Sequence, residues 1–224
     1  ADQVTVSTII DEFDESKYIY FCYLFLNVII TRPKLINEYI NFICEKFQLH
    51  KSLQTTLVDY LISLVTDKSQ EGHSTYNYIL NKFLERSIIT KETILTKCQT
   101  NLYFSHILMN TNIILPMVRD EATNNFLLNI NEYSENNWEK HLKYISKGIN
   151  PNPFAEIIIN DDDKTLQFLI SSQGKSPNTL IHPSIYDLLS INRPLNLIEY
   201  SALSSSIKCF KFLLLNGAIV KPGI

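Results

Sequence analysis

Glycine is scarce in this sequence, and that scarcity excludes most folds built from tight β-turns. Only five Gly and eight Pro occur among 224 residues, whereas hairpin turns depend on Gly for left-handed backbone positions. Helices joined by short connections need far fewer glycines. The 45% hydrophobic content is enough to bury a core in one large or two smaller domains. We therefore expect an all-α fold.

Apolar residues recur at helical spacing in the first half of the chain. Leu53, Leu57, Leu61 and Leu64 follow one another at steps of four and three, the spacing of one helix face. Comparable patterns predict helices over 18–30, 33–47, 76–84, 90–98, 102–115 and 121–128. These helices fit either one bundle or a stack of antiparallel pairs, and the sequence does not choose between the two.

The most apolar stretch covers residues 18–30 and bears on a membrane location. Its 13 residues are fewer than the roughly 20 that a membrane-spanning helix needs. We therefore predict a helix buried on most sides and no membrane span. The first residues of the chain carry acids where a signal peptide has a basic start, so we expect a cytoplasmic protein.

A polar cluster at 129–137 marks a change in the chain. Beyond it, Trp138 restarts a helical pattern, and three helix-like segments end at Gly148, Gly174 and Gly217. A glycine at the end of a helix readily takes the left-handed conformation of a C-terminal cap. We predict an N-terminal helical region over 1–131 and a second region over 132–224.

Residues 196–218 resemble the helix-turn-helix core of an ankyrin repeat. The matching residues are Ser201 and Ala202 as the small pair, Phe210 as the apolar position, Leu213 and Leu214 as the leucine pair, and Gly217 with Ala218 as the ending. Ser205 stands where the family usually has the glycine between the helices, and Asn196 with Leu197 stands in place of Thr-Pro. These departures indicate a divergent copy.

Residues 152–174 look like a second, more degenerate repeat, joined to the first by a long connection. The whole arrangement resembles the divergent ankyrin-repeat proteins expanded in some protists, in which a helical region precedes the repeats. Phe212 and Leu215 are apolar on the last helix, where a further repeat would stack. The second region is therefore predicted to be the start of a longer array.

The resemblance implies recognition of a protein partner, with neither catalysis nor a cofactor. Ankyrin-type repeats bind through their concave face and loop tips. On that basis Tyr200, Leu203 and Ser204 are predicted to lie on or near the exposed side of the inner helix and to contact the partner. The expected function is that of a scaffold or adaptor. The partner's identity and the oligomeric state stay open.

Other kinds of site receive little support from the sequence. A formal charge of −3 and a pI near 6.0 do not suit a protein that grips nucleic acid. The five histidines include no pair at zinc-ligand spacing, so no metal site is predicted. Asp161, Asp162 and Asp163 are interpreted as helix caps, and the four cysteines as reduced thiols.

The main alternative interpretation is an enzyme, and a helical nucleic-acid binder is the second. A hydrolase or transferase could place its site in the N-terminal region, using residues such as Glu92, Cys98 or His106. Cys98 and His106 lie about two turns apart if their helix is continuous, ~12 Å along the axis. That separation is too long for a thiol and its base to form a catalytic pair.

Overall fold

In the computed structural model, the residues that can be described are 14–67, 73–97, 120–189, 191 and 193–220. The chain divides into two compact units: unit 1 lies within Ala1–Val118 and unit 2 within Arg119–Ile224. The domain boundary predicted after residue 131 stays a prediction. The helix predicted over 102–115, together with Cys98 and His106, lies outside the described residues.

The structure is mostly helical, which confirms the predicted all-α class. The described helices of unit 1 are α1 (Tyr18–Thr31), α2 (Ile36–Lys46), α3 (Lys51–Thr66), α4 (His73–Glu85) and α5 (Lys91–Lys97). Short 3-10 turns at Glu15–Lys17 and Pro33–Leu35 precede α1 and α2.

Helical periodicity accounts for the core of unit 1. Leu53, Leu57 and Leu61 on α3 are fully buried, as their spacing predicted. α3 packs against α1 and α4, so its leucine face is covered by two neighbours. Thr90 caps α5 by accepting a hydrogen bond from the Thr93 backbone N–H at 3.3 Å, which confirms that predicted N-cap.

The prediction that residues 18–30 form a helix is confirmed, but the prediction that this helix is buried on most sides is wrong. Only one half of α1 is covered. Its other half exposes 40–59% of five large apolar side chains, namely Ile19, Tyr20, Tyr23, Leu24 and Val28. A run of apolar residues shows that a helix can be buried all round, but burial also requires enough neighbours to cover each side.

No single helix among the described residues is both long and apolar enough to cross a membrane. The segments Glu15–Thr31 and Pro33–Lys46 pass such a test only when taken together, and the chain bends by 109° between them.

Unit 2 contains six helices and one small sheet among its described residues. The elements are α6 (Glu121–Leu128), α7 (Ile130–Lys147), α8 (Pro153–Ile159), α9 (Asp163–Ser172), β1 (Leu180–Ile181), β2 (Leu195–Asn196), α10 (Leu197–Leu203) and α11 (Ile207–Leu215). A kink divides α7, because Asn136, Asn137 and Trp138 have left-handed backbone angles. Gly148 ends α7 with φ +65°, the predicted C-terminal cap.

Two helix pairs of similar construction form the second half of unit 2. α8 packs on α9 and α10 on α11, and the pairs also meet through α8 with α10 and α9 with α11. Asn152 and Asn196 cap the first helix of each pair. The turn between the helices contains Asp161 in the first pair and Ser205 in the second, each with φ +54°. Both residues lie at the same distance along the chain from the N-cap asparagine of their pair. Ser205 thus adopts the left-handed angle for which glycine is the usual residue.

The long connection between the two helix pairs is closed by a two-residue ladder. Leu180 pairs with Asn196 and Ile181 with Leu195 in antiparallel register. Both strands lie beside α10, so the chain between them forms a loop anchored at its base. This loop supplies one wall of a pocket in unit 2.

Candidate functional site

A pocket of about 410 Å³ opens in unit 2, where the segment leading into α8 meets α6 and the loop between β1 and β2. Its lining residues are Ala122, Asn125, Phe126, Asn129, Tyr133, Asn150, Pro151, Asn152, His182, Pro183, Ser184 and Tyr186. None of the described lining residues is Asp, Glu, Lys or Arg. The pocket is therefore suited to an uncharged ligand that can form hydrogen bonds.

Aromatic rings form the floor of this pocket. Phe126 and Tyr133 stack with their ring centroids 5.2 Å apart, and Tyr186 lies edge-on to Phe126 at 6.2 Å. Beneath them, His141 and Tyr144 lie within 5.5 Å of the Tyr186 ring. Such offset and edge-to-face arrangements are the favourable ones for aromatic pairs, so the floor is a rigid surface.

Asn150 fixes the wall of the pocket. Its Nδ2 donates to the His182 carbonyl at 2.9 Å and to Asp187 Oδ2 at 3.1 Å. Its Oδ1 accepts from the Asn152 backbone N–H at 3.0 Å. One side chain thus ties the loop between the strands to the segment that enters α8. Because all three bonds are internal, Asn150 shapes the pocket and is not available to a ligand.

Two other asparagines keep hydrogen-bonding groups for a ligand. The Asn125 side-chain amide makes no hydrogen bond to the described residues, and it lines the pocket from α6. Asn152 Oδ1 caps α8 by accepting from the Phe154 N–H at 3.0 Å. Its Nδ2 makes no hydrogen bond to the described residues. Neutral amides offer both donors and acceptors, the pattern that a peptide backbone complements.

His141 is buried below the pocket floor. Its Nδ1 lies 2.8 Å from the Tyr186 hydroxyl, and its Nε2 has no hydrogen-bond partner in the described structure. Burial lowers the pKa of His141 to about 4, because removal from water disfavours the charged imidazolium. Burial likewise raises the pKa of Tyr186. Both groups are therefore neutral at pH 7, which keeps the floor uncharged.

Asp187 and Tyr200 form a second buried polar group next to the loop. Asp187 Oδ1 accepts from the Leu189 N–H at 3.0 Å. Burial raises the pKa of Asp187, and this backbone bond, together with the Asn150 amide, opposes the rise. The Tyr200 hydroxyl lies close to this carboxylate without the geometry of a hydrogen bond. Neither Asp187 nor Tyr200 lines the pocket.

Two of the three residues predicted to face a partner are buried, so that placement is wrong for them. Tyr200 is 0% exposed within the core of unit 2, and Ser204 is 3% exposed. The Ser204 hydroxyl donates to the Tyr200 carbonyl at 2.7 Å, so this side chain is bonded to the backbone at the end of α10. Leu203, at 37% exposed, is the one residue of the three that solvent reaches. Whether it contacts a partner stays a prediction.

Two of the three adjacent aspartates, Asp161 and Asp162, cap helices as predicted, and the third, Asp163, is the first residue of α9. Asp162 caps α9 by accepting from the Thr165 N–H at 3.0 Å. Asp161 Oδ1 accepts from the Lys208 and Cys209 N–H groups of α11 at 2.8 and 3.0 Å. Each carboxylate thus meets the positive end of a helix. Among the described residues, no group of three His, Cys, Asp or Glu side chains could hold a metal ion.

Of the residues named for an enzyme site, only Glu92 lies among the described residues. Glu92 is exposed in the first turn of α5. Its pKa is lowered by its backbone hydrogen bond and by the Thr90 side chain, which is the usual effect of a helix N-terminus on an acid. Cys98 and His106 lie outside the described residues. Cys22, Cys44 and Cys209 are free thiols.

Sequence reasoning missed the pocket. One signal was present, since Asn125 and Asn129 lie four residues apart and share a helical face. The loop that completes the pocket comes from more than 50 residues further along the chain, and no spacing rule predicts that contact.

Comparisons with protein-family models, with curated proteins and with solved structures find no match to this chain.

Proposed function

We propose that this protein is an adaptor that binds an uncharged segment of a partner protein in the pocket of unit 2. The observation that carries the proposal is the pocket itself, with its aromatic floor, its free asparagine amides and a lining that contains no Asp, Glu, Lys or Arg. Such a surface complements peptide groups and apolar side chains better than phosphates or metal ions. No catalytic step is part of the proposal.

The two helix pairs support this function. We propose that they are divergent ankyrin-like repeats, on the strength of the sequence resemblance and of the stacking of α8 on α10 and α9 on α11. Repeat stacks of this kind bind partners through the loops that lead into their inner helices. The pocket lies at two such places, the segment before α8 and the loop before α10.

We also propose that the protein acts in the cytoplasm. Three free thiols, Cys22, Cys44 and Cys209, support a reducing compartment.

Selection from a library of random peptides tests the pocket directly. We expect the full chain to enrich a family of related peptides. The variant Asn125→Trp fills the pocket and should weaken their binding by about tenfold or more. Asn124→Trp is the matched control, because Asn124 is the exposed neighbour on the same helix and does not line the pocket. It should bind as the wild type does.

Two results would reject the proposal. One is the absence of any enriched peptide family, and the other is equal binding to wild type and Asn125→Trp. A salt titration separates the nucleic-acid alternative, because phosphate contacts weaken steeply as salt rises. Binding to an uncharged pocket should change little over the same range.

A further inference from the structure

The exposed half of α1 is a continuous apolar surface, which we call the α1 face. It comprises Ile19, Tyr20, Tyr23, Leu24 and Val28, each 40–59% exposed. Their spacing places them on one side of the helix. The opposite side holds the buried residues Phe21, Cys22, Phe25, Leu26 and Ile29. α1 is thus half in the core of unit 1 and half on its surface.

Two polar residues beside the α1 face, Asn27 and Thr31, already have their side-chain donors bonded. Asn27 Nδ2 donates to the Tyr23 carbonyl at 2.8 Å, and the Thr31 hydroxyl donates to the carbonyls of Asn27 and Val28 at 3.0 Å. No charged residue occurs between Tyr18 and Thr31. Unpaired charges and unpaired donors are the main costs of burying a surface. Covering this one would bury no charge and would leave both of these donors bonded.

Charge is distributed unequally between the two ends of α1. The N-terminal end carries the acids Asp14 and Glu15, with Lys17 paired to Asp14 at 3.6 Å. The C-terminal end carries Arg32 and Lys34, both exposed and with no acid between them. Two such helices side by side in antiparallel orientation would place each acidic end next to a basic end. In parallel orientation, like charges would meet.

The area of the α1 face is large enough for a weakly associating homodimer. Five side chains of this size and exposure offer roughly 500 Å² per chain, so two copies would bury about 1,000 Å². That total is near the lower limit for a specific interface. Tyrosine, which supplies two of the five side chains, is enriched at such interfaces.

We propose that two copies of this protein associate through the α1 face, with their α1 helices antiparallel across a two-fold axis near Tyr23 and Leu24. The same surface on both chains meets itself, as two-fold symmetry requires. The proposal does not depend on the pocket of unit 2, so either can fail without the other. A bilayer surface is the competing occupant, and the acids at the N-terminal end disfavour one that is anionic.

Sedimentation of the full chain over a range of concentrations tests the association. We expect a monomer–dimer equilibrium in the micromolar range, on the order expected for an interface of this size. Leu24→Lys places two cations next to the two-fold axis and should raise the dimer Kd by about tenfold or more. Leu49→Lys is the matched control, since Leu49 is 74% exposed and lies outside the α1 face. It should dimerise as the wild type does.

Disulfide trapping tests the orientation. When Ile19→Cys chains and Val28→Cys chains are mixed and oxidised, the main product should be the mixed dimer, which joins the two different variants. Dimers of one variant with itself should be few, and the wild-type chain is the background control. Abundant self-paired dimers of both variants would overturn the antiparallel arrangement. A chain that stays monomeric throughout, or one that floats with lipid vesicles while remaining monomeric in solution, would overturn the association itself.

Discussion

Units 1 and 2 are both helical, but they bury different chemistry. The buried polar residues of unit 1 among those described are Thr75, Asn77 and Asn81, all on α4. Those of unit 2 are Thr123, His141, Asn150, Asp187, Asn196, Glu199, Ser201, Ser204 and Ser206. Unit 1 is therefore held chiefly by apolar packing, whereas unit 2 also depends on buried hydrogen bonds that fix its loops. The pocket lies in the unit whose loops are fixed in this way.

Removing an aromatic ring from the core of unit 1 should have the largest effect. Phe83 is fully buried and packs edge-on against Phe47 at 5.5 Å. Phe83→Ala should lower the free energy of unfolding by about 3–5 kcal/mol, as measured by urea denaturation followed by circular dichroism. Phe168→Ala is the control, because Phe168 is 70% exposed and its loss should cost less than about 0.5 kcal/mol. Equal effects would contradict the assignment of the core.

Acid should destabilise unit 2 through His141. Its pKa falls from 6.5 to about 4 on folding, so the folded state binds the proton less tightly than the unfolded state. The stability that this neutral histidine contributes is complete above pH 6.5 and is lost as the pH falls toward 4, by about 3 kcal/mol in total. Fluorescence of Trp138, the single tryptophan, monitors this unit.

His141→Gln is the matched variant for the pH experiment, because glutamine can bond the Tyr186 hydroxyl and does not titrate. Its free energy of unfolding should be lower at pH 7 and should lack the fall between pH 6.5 and 4. An unchanged fall in this variant would assign the pH dependence to other groups.

The caps of the two helix pairs should differ in strength. Asn196 is 2% exposed, accepts from the Glu199 N–H at 2.9 Å and donates to the Ile219 carbonyl at 2.9 Å. Asn196→Ala should lower the free energy of unfolding by about 2 kcal/mol, and Asn152→Ala, which removes the corresponding cap, by about 1 kcal/mol. The same fluorescence measurement compares them. The reverse order would mean that burial does not strengthen the cap.

The smallest expected effect concerns the two left-handed turn residues. Ser205→Gly relieves a strained angle and should raise the free energy of unfolding by about 0.5–1 kcal/mol. Asp161→Gly relieves the same angle but removes the acceptor for two N–H groups of α11, so it should be destabilising by about 1 kcal/mol. Stabilisation by both substitutions would show that the Asp161 cap contributes nothing.

The sequence predicted the features that depend on neighbours along the chain. The leucine face of α3, the Thr90 cap, the Asp162 cap and the left-handed Gly148 all follow from the order of a few residues. Features that depend on distant contacts were missed or misplaced. Periodicity marks Tyr200 as part of a helix but does not show which neighbours enclose it. Tertiary packing also decides that the α1 face is exposed and that Asn150 bonds to the loop between the strands. For that reason neither feature could be predicted from the sequence.

Hydrogen exchange of the full chain, with and without a peptide selected on it, tests the central claim most directly. The account predicts that the peptide slows exchange in α6, in the segment 149–153 and in the loop 182–186, and that Asn125→Trp abolishes this protection. Protection confined to unit 1, or to the exposed surface of α11, would contradict the assignment of the pocket as the binding site.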